Sequence, residues 1–245
     1  MRMKQDGEQM VSVDMHGYSL HLQMSLFEFR ETRAARVAFE VLGKEALEGF
    51  LVVDRCPVYN KMPVKIQYCF AHLLREIQKL EKEFPDSKEI SWFTSKICPP
   101  VAEAMKLRTL RLSNEIYLKL AGEIKNKIES EINYPYKHEG IKRIQRIFID
   151  KSTRMYHWAE DPRVPAENNL AERDIRPTVI SRKRSFGSQS KNGAKIRAAI
   201  MSVLFTARKR LKSKHLEDWF YETLNKLAHN PELGIYQLLP LAPDN

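Results

Sequence analysis

Cysteine is scarce in this chain, with only Cys56, Cys69 and Cys98 among 245 residues. Three scattered cysteines argue against a disulfide framework and favour a reducing, cytoplasmic compartment. Long apolar runs are also absent. The longest candidates, Gly49–Val53 and Ala198–Ala207, fall short of the roughly 18 residues that a membrane span needs. The first ten residues, MRMKQDGEQM, lack an apolar signal region, which predicts that the protein is not exported.

Acidic residues are scarce in one particular stretch of the chain. Residues 173–214 hold thirteen Lys or Arg and a single acid, Asp174, whereas the remainder holds 28 basic and 30 acidic residues. The formal net charge of +10 therefore comes entirely from this stretch. Such a concentration of positive charge predicts a polyanionic partner, most often nucleic acid. The alternative is a solvated basic face without a partner.

The first third of the chain carries strand patterns within a composition typical of folded globular proteins. Alternating residues from Met10 to Arg30, with a turn at Met15–Gly17, predict a β-hairpin leading into a third strand. The apolar run Gly49–Asp54 predicts a buried parallel strand that ends in a carboxylate. Val64–Cys69 predicts a further short strand. This region is therefore predicted to be a small α/β unit.

Helical spacing of apolar residues dominates the rest of the chain. In the final helix an apolar stripe that includes Trp219, Phe220 and Leu224 predicts a buried face. The predicted helices are Ala34–Leu47, Ala71–Phe84, one long helix or a helical pair within Ala102–Ile132, Ile141–Trp158, Ala194–Leu211 and Leu216–Ala228.

The segment ENNLAERDIRP, residues 167–177, is the most informative short motif. It predicts a helix capped by Asn169, with Glu172 at the third helical position, which Pro177 then stops. A helical carboxylate followed by Arg173 and Arg176 suits a metal ligand beside a phosphate-rich substrate. The alternative is an ordinary capping box, in which Asn169 and Glu172 each bond the other's backbone N–H.

A second basic motif, SRKRSFGSQSKNGAKIRAA, combines cationic side chains with Gly187 and Gly193. Glycines let backbone N–H groups approach phosphates closely, and a helix that starts near Ala194 would point its positive dipole end the same way. We expect phosphate contacts without base reading. Phe186 is interpreted as a buried anchor or as a base-stacking residue. The predicted DNA-binding residues are Arg173, Arg176, Arg182, Lys183, Arg184, Lys191, Lys195 and Arg197.

Four segments are informative as a set, namely GFLVVDRCPVYNK, IQYCFAHLLREI, ENNLAERDIRP and RKRSFGSQSKNGAKIRAAIMSVLFTARK. In this order they resemble the insertion-sequence-66 family of transposases. The resemblance extends from about Tyr18 to the end of the chain and is strongest at Glu48–Arg75 and Tyr156–Arg210. The closing region YETLNKLAHNPELGIYQLLP is similar as well.

This resemblance implies an RNase H-like core whose three acids, Asp, Asp and Glu, bind two divalent metal ions, Mg²⁺ or Mn²⁺. Carried over by position, the second acid is Asp54 and the third is Glu172. Two metals about 3.5–4 Å apart suit in-line attack of water, or of a DNA 3′-hydroxyl, on a phosphodiester. His72, Asn168 and Asn169 are implied as supporting residues. Without the resemblance, Asp54 is equally well explained as a strand-terminal turn residue.

The first acid departs from the family pattern Asp-Glu-Thr. An ungapped alignment of QDGEQMVSVDMHG places Gly7 at the aspartate position and Glu8 next to it. Asp6 fits only if the strand slips by one residue, which would point it to the opposite face. Asp14 is a weaker candidate. The chain also begins without the DNA-binding region that family members carry, so we expect a truncated or diverged N-terminus.

The resemblance also implies the organisation of the chain. The fold class is α/β: an RNase H-like core, a mixed sheet with flanking helices, is interrupted by an all-helical insertion and followed by a helical C-terminal part. The first part of the core is predicted at 1–84, the insertion at 85–160, the rest of the core with the basic segment at 161–212 and the C-terminal helices at 213–245. Expected partners are double-stranded DNA and further copies of the chain, in the cytoplasm and on the bacterial nucleoid, with no membrane.

Cys69 and His72, in a Cys-x-x-His arrangement, form only half of a zinc ligand set. A buried Cys and a core-bonded His explain the pair equally well, and His72 is also placed to hydrogen-bond a catalytic carboxylate. Two further functional hypotheses stay open beside a transposase. One is a DNA-binding remnant without catalysis, and the other is a helical interaction protein whose acids act as caps and turns.

Overall fold

The computed structural model describes residues 9–15, 24–30, 39–40, 49–184, 190–211 and 215–241. These residues are mostly helical and carry two two-stranded sheets, which is an α/β composition in the broad sense. The chain divides into two compact units. One comprises residues 44–169, and the other comprises residues 1–43 together with 170–245. The predicted boundaries at 84, 160 and 212 stay predictions.

Strands and helices are numbered along the chain. The strands are β1 (Gln9–Met15), β2 (Met24–Arg30), β3 (Phe50–Val53) and β4 (Lys65–Tyr68). The helices are α1 (Phe70–Glu83), α2 (Lys88–Leu107), α3 (Asn114–Asn133), α4 (Glu139–Asp150), α5 (His157–Glu160), α6 (Asn169–Arg184), α7 (Lys191–Arg210), α8 (Leu216–His229) and α9 (Ile235–Leu238). Three short 3₁₀ helices lie at Pro57–Lys61, Arg108–Leu110 and Ser152–Arg154.

In the unit of residues 44–169, strands β3 and β4 are parallel, with Val53 opposite Tyr68. Both strands and the helix that follows them confirm the predictions made from Gly49–Asp54, Val64–Cys69 and Ala71–Phe84. The predicted alternative of a helical pair is also confirmed, because α2 and α3 are separate helices. Of the predicted helix Ala34–Leu47, only residues 39–40 are described, and they are helical.

The core of this unit is built around aromatic side chains. Trp158 is fully buried, and its ring meets Phe70 edge-on with centroids 5.7 Å apart. Phe148 meets the same Phe70 ring at 6.1 Å. The Trp158 backbone also accepts a hydrogen bond of 2.9 Å from the Tyr117 hydroxyl. Helices α1, α3, α4 and α5 thus contribute to one continuous apolar core.

A buried amide joins this core to the sheet. Gln67 on β4 is 0% exposed, and its Nε2 donates to the carbonyl of Met155 at 3.1 Å. Its Oε1 accepts from the backbone N–H of Trp158 at 3.3 Å. Because a buried amide without partners is costly, this network fixes the segment of residues 155–158 against the strand.

A second buried amide closes the end of helix α3. The last carbonyls of a helix lack partners within the helix. Gln145 on α4 donates from Nε2 to the carbonyls of Ile132 at 2.8 Å and Tyr134 at 2.7 Å. The turn between α3 and α4 is therefore held by the Gln145 side chain.

Helix α4 begins very close to helix α1. A Cβ atom added to Gly140 would lie 2.5 Å from Cδ1 of Leu80, which is itself 2% exposed. The same atom would lie 3.1 Å from Nδ1 of His138, which accepts the hydrogen bond of the Gly140 N–H. Glycine is therefore required here by the close approach of the two helices.

In the unit of residues 1–43 and 170–245, strands β1 and β2 are antiparallel, with Met15 opposite Met24. The predicted hairpin is corrected by this register: β1 pairs with the run after Met24, not with residues directly beyond a Met15–Gly17 turn. Residues 16–23 lie outside the described residues. Phe27 on β2 is buried, and its ring meets Phe205 of α7 with centroids 5.0 Å apart.

The prediction that Pro177 stops its helix is wrong, because α6 continues from Asn169 to Arg184. Helix α2 likewise passes through Pro99 and Pro100. An interior proline costs about 3 kcal/mol. In α2 this cost is offset by full burial of Ile97 and Val101 on either side.

The predicted inner face of the helix Leu216–His229 is also partly wrong. Trp219 and Thr223 are buried, whereas Phe220 and Leu224 are 43% and 49% exposed. The indole N–H of Trp219 donates to the carbonyl of Leu238 at 3.1 Å, which turns this side of the helix inward. Among the described residues, we find no helix with both the length and the apolar character of a membrane span.

Candidate functional site

Asp54 directly follows strand β3, as the sequence predicts. Its side chain is exposed, and Oδ1 accepts a hydrogen bond of 3.2 Å from the backbone N–H of Cys56. This hydrogen bond is the one expected of a strand-terminal turn residue, which was the alternative role considered for Asp54. It also orients the Asp54 carboxylate at the end of the strand. The carboxyl ends of parallel strands are common sites for ligands, because the loops that follow them lie side by side.

Four charged or polar side chains belong to the elements around this strand end, namely Arg55, Tyr59, Glu76 and Arg143. Arg55 donates from Nη2 to Oε2 of Glu76 on α1. A second guanidinium, Arg143 on α4, lies with Nη2 4.0 Å from the other oxygen of Glu76. Burial raises the pKa of the Tyr59 hydroxyl, and the charge of Asp54 raises it further. The electrostatics near Asp54 therefore include one further carboxylate and two guanidinium groups.

Cys69 occupies the corresponding position after strand β4. It is fully buried, and its backbone N–H donates to the carbonyl of Val53 at 2.8 Å. Its sulfur accepts from the backbone N–H of Asn168 at 3.2 Å. The next residue, Phe70, donates its N–H to the carbonyl of Ala166 at 2.8 Å. The segment of residues 166–168 is thus held at the carboxyl edge of the β3–β4 sheet.

His72 lies in the first turn of α1, three residues after Cys69, and is half-buried. The placement agrees with the predicted helix start after a strand. The choice between a core histidine and a partner of a catalytic carboxylate stays open as a prediction.

Helix α6 begins at Asn169, directly after the segment held at Cys69. The carboxylate of Glu167 accepts the hydrogen bond of the Asn169 backbone N–H. Glu172 is the acid of the first turn and is half-buried, whereas Arg173 and Arg176 are exposed. Asn169 is the last residue of the unit 44–169, and Glu172 belongs to the other unit. A shared metal pocket of Asp54 and Glu172 therefore stays a prediction.

The predicted DNA-binding residues lie on two helices. Arg182 and Lys183 fall within α6, and Arg184 at its end is exposed. Lys191 and Lys195 on α7 are exposed, and Arg197 is half-buried. These positions agree with a basic surface, and their contact with DNA stays a prediction.

Helix α7 starts at Lys191, three residues before the predicted start at Ala194. Ser190 caps it, since its Oγ accepts from the Gly193 N–H at 3.0 Å. The first turn contains no acid, so the positive end of the helix dipole is not neutralised locally. Residues 185–189, with Phe186 and Gly187, lie outside the described residues.

The first acid of the predicted triad is not located. Asp6, Gly7 and Glu8 lie outside the described residues. Asp14 lies on β1 opposite Ser25. The assignment of Asp6 to the triad stays a prediction.

The cluster of Arg55, Glu76 and Arg143 was not found from the sequence. Glu76 and Arg143 follow Asp54 by 22 and 89 positions and sit on amphipathic helices, where charged residues are expected on the outer face. Only the adjacency of Arg55 to Asp54 offered a local signal.

Comparison with known proteins identifies relatives of the chain. Over 200 residues it is 24% identical to the uncharacterized protein y4hP of Sinorhizobium fredii (strain NBRC 101917 / NGR234), covering 73% of this chain and 35% of that protein. Over 96 residues it is 28% identical to the uncharacterized protein y4qI of the same strain, covering 39% of this chain and 17% of that protein. The chain thus spans about a third or less of the relatives it matches.

No solved structure is significantly similar to the chain. The Transposase IS66 family, by contrast, matches residues 2–196. That match includes the whole unit of residues 44–169 and part of the other unit, with the strand end at Asp54 and the helix of Glu172. The chain therefore belongs to the Transposase IS66 family.

Proposed function

We propose that the chain is the catalytic region of a DNA transposase, which cuts and joins DNA strands at the ends of an insertion sequence with the help of divalent metal ions. The observation that carries this proposal is a carboxylate, Asp54, at the carboxyl end of a parallel strand in a chain of the Transposase IS66 family. The basic stretch 173–214 supports DNA as the partner.

The donor atoms fit the proposed metal. Mg²⁺ and Mn²⁺ prefer carboxylate oxygens, and strand ends and helices hold such groups more firmly than loops do. Asp54 and Glu172 would hold the ions, with Asp6 as the candidate for the first acid. When bound, two metals would activate the attacking oxygen and stabilise the charge of the leaving oxygen. The turn hydrogen bond from Cys56 fixes one oxygen of Asp54 and so limits the rotation of its carboxylate.

The chain's own residues would bind and orient DNA. Exposed Arg173, Arg176, Arg184, Lys191 and Lys195 are suited to phosphate contacts, which position a duplex without reading its sequence. The proposal includes an RNase H-like core, joint use of Asp54 and Glu172, and assembly of several copies on DNA. It also includes activity in the cytoplasm, on the nucleoid.

A cleavage assay tests the catalytic part of the proposal. The substrate is a supercoiled plasmid that carries the genomic DNA on both sides of the gene, incubated with the full chain and Mn²⁺. Asp54→Asn and Glu172→Gln should each reduce nicking at least 100-fold, because each removes a charged metal ligand. Matched controls are Asp86→Asn, an exposed turn acid, and Glu115→Gln, a first-turn acid of α3. Equal activity in all four variants would contradict the roles of Asp54 and Glu172.

A binding assay tests the DNA part. With six phosphate contacts, the logarithm of the association constant should fall against the logarithm of salt concentration with a slope of about −5. Salt-dependent binding without cleavage would favour a non-catalytic remnant. Absence of both would favour a helical interaction protein.

The supporting role of His72 has a separate test. If His72 bonds a catalytic carboxylate, His72→Ala should weaken Mn²⁺ binding roughly tenfold, as measured by calorimetry. Unchanged metal affinity would assign His72 to the core instead.

A further inference from the structure

Two arginines converge on one glutamate in the unit of residues 44–169. Arg55 donates to Oε2 of Glu76, and Nη2 of Arg143 lies 4.0 Å from Oε1. The side chains of Arg55 and Glu76 are 28% and 25% exposed, whereas that of Arg143 is 61% exposed. Arg55 comes from the loop after β3, Glu76 from α1 and Arg143 from α4, so three separate elements build this cluster.

The three side chains of the cluster together carry one net positive charge, because a single carboxylate faces two guanidinium groups. Nε of Arg55 is buried and has no hydrogen-bond acceptor among the described residues. The half-buried guanidinium of Arg55 keeps an exposed part that is suited to an added anion, whereas its buried Nε is not accessible to one. Its planar fork matches the oxygens of a phosphate better than a lysine would. The hydrogen bond to Glu76 orients the planar guanidinium group of Arg55 before any anion binds.

The position of the cluster beside Asp54 indicates that the bound anion is a DNA phosphate. Arg55 directly follows Asp54, which we propose as a metal ligand at the scissile phosphate. A DNA strand carries one phosphate per about 3.4 Å of helix axis, so neighbouring phosphates must pass close to that carboxylate. Arg146, three residues beyond Arg143 on the same face of α4, extends the positive surface. Its pair with Glu139 joins two exposed side chains at 3.8 Å and neutralises it weakly.

We propose that Arg55 and Arg143, oriented by Glu76, bind the DNA backbone next to the reacting phosphate. This is a contact surface on the unit 44–169, in addition to the basic stretch 173–214. The inference rests on the proposed transposase function, since it takes DNA as the ligand and Asp54 as a residue of the reacting centre.

A purely structural role is the competing explanation. In that case the cluster only holds α1 and α4 together. Removing Arg143 then changes the stability of the protein but not the salt dependence of DNA binding. The salt dependence of DNA affinity separates the two explanations, because each lost phosphate contact lowers the magnitude of the slope by about 1.

The test uses the full chain and a 30-base-pair duplex over a series of KCl concentrations. Arg143→Gln should lower the magnitude of the slope by about 1 and weaken binding roughly fivefold at 100 mM salt. Arg143→Lys keeps the charge and should restore the slope. The matched control is Lys127→Gln, since Lys127 is also 61% exposed and faces Glu103 at 3.6 Å, on the α2–α3 pair. This control should leave the slope within 0.3 of the unsubstituted chain.

The outcomes distinguish failure of this inference from failure of the proposed function. If the unsubstituted chain binds DNA and Arg143→Gln has the same slope as Lys127→Gln, the phosphate contact is overturned while the transposase proposal stands. If the unsubstituted chain does not bind DNA, both are overturned. Glu76→Gln adds a second readout: its amide oxygen can still accept from Arg55 and keep that orientation, so loss of the negative charge that opposes DNA should strengthen binding at low salt. Weaker or equal binding would contradict the phosphate contact.

Discussion

The unit of residues 44–169 and the unit of residues 1–43 and 170–245 differ in what stabilises them. The first buries a continuous core in which Trp158, Phe70 and Phe148 meet. In the described part of the second, the buried cluster consists of Phe27, with Ala194 and Ala198 of α7. The first unit is therefore stabilised by large interlocking side chains, whereas the buried cluster described in the second joins a strand to one helix.

Their charges differ in distribution as well. Residues 44–169 hold 22 basic and 18 acidic residues, spread along the unit, whereas thirteen of the basic residues elsewhere fall within 173–214. A tightly packed unit suits the fixed placement of an acid such as Asp54. A helical unit with dense positive charge suits contact with a long anion. We therefore expect substitutions in the packed core to act mainly on stability, whereas most of the proposed phosphate contacts lie in the basic stretch 173–214.

The largest effect should come from the packed core. Trp158→Ala removes a fully buried ring and should lower the free energy of unfolding by about 3–5 kcal/mol. Trp92→Ala is the matched control, because Trp92 is 55% exposed and should change stability by less than about 0.5 kcal/mol. Urea denaturation followed by far-ultraviolet circular dichroism measures both. Similar losses in the two variants would contradict the assigned core.

The second effect tests the smaller cluster. Phe27→Ala should cost about 3 kcal/mol, the low end for a buried aromatic residue, since its cluster has few members. It should also expose the amides of α7 to hydrogen exchange without affecting those of α3. The control is Phe220→Ala on α8, which is 43% exposed. Loss of protection in α3 would show that the two units unfold together.

A third effect concerns a polar contact in the packed unit. Gln145→Ala leaves the carbonyls of Ile132 and Tyr134 without their amide donor, and we expect a loss of about 2 kcal/mol. Gln78→Ala, an exposed glutamine on α1, serves as the control. Thermal denaturation compares them, and equal melting temperatures would mean that water replaces the Gln145 amide at no cost.

The smallest effect is a pH dependence. Burial raises the pKa of Tyr117 to about 12, an effect partly opposed by Arg108, from an ordinary value of 10.0. Between pH 10 and 12 the native state retains a proton that the unfolded state releases, so stability falls as pH rises. Tyr117→Phe should therefore lose less stability than the unsubstituted chain between pH 9 and 11, by roughly 1 kcal/mol. Parallel pH profiles from urea denaturation would contradict this.

The sequence predicted those elements whose patterns are local. The apolar run before Asp54, the second short strand and helix α1 follow from composition over a few residues, and all three are present. The alternation around Met10 predicted strands but misplaced the pairing, because register depends on which face is covered. Long-range burial also decided the helix that passes through Pro99 and Pro100, since local propensity alone would end it. The described side chains of α6 do not explain why that helix continues through Pro177.

Of the candidate site, the sequence placed Asp54 after its strand and Glu172 in the first turn of its helix. Family resemblance, rather than periodicity, selected these two acids among 31. The cluster of Arg55, Glu76 and Arg143 could not be predicted from the sequence, because it depends on how α1 and α4 pack. The same holds for the two buried glutamines, whose partners on other elements lie 11 to 91 positions away.

Gly140 limits which substitutions the protein tolerates, because glycine has no side chain and the space beside it is filled. Every codon change that replaces this glycine adds at least one carbon atom, and that atom would overlap the packed Leu80. A side chain at this position therefore requires the buried Leu80 to shift or to be replaced by a smaller residue. Random mutagenesis should therefore recover glycine at position 140 in functional clones far more often than at Gly122, where an added carbon has nothing within 4 Å.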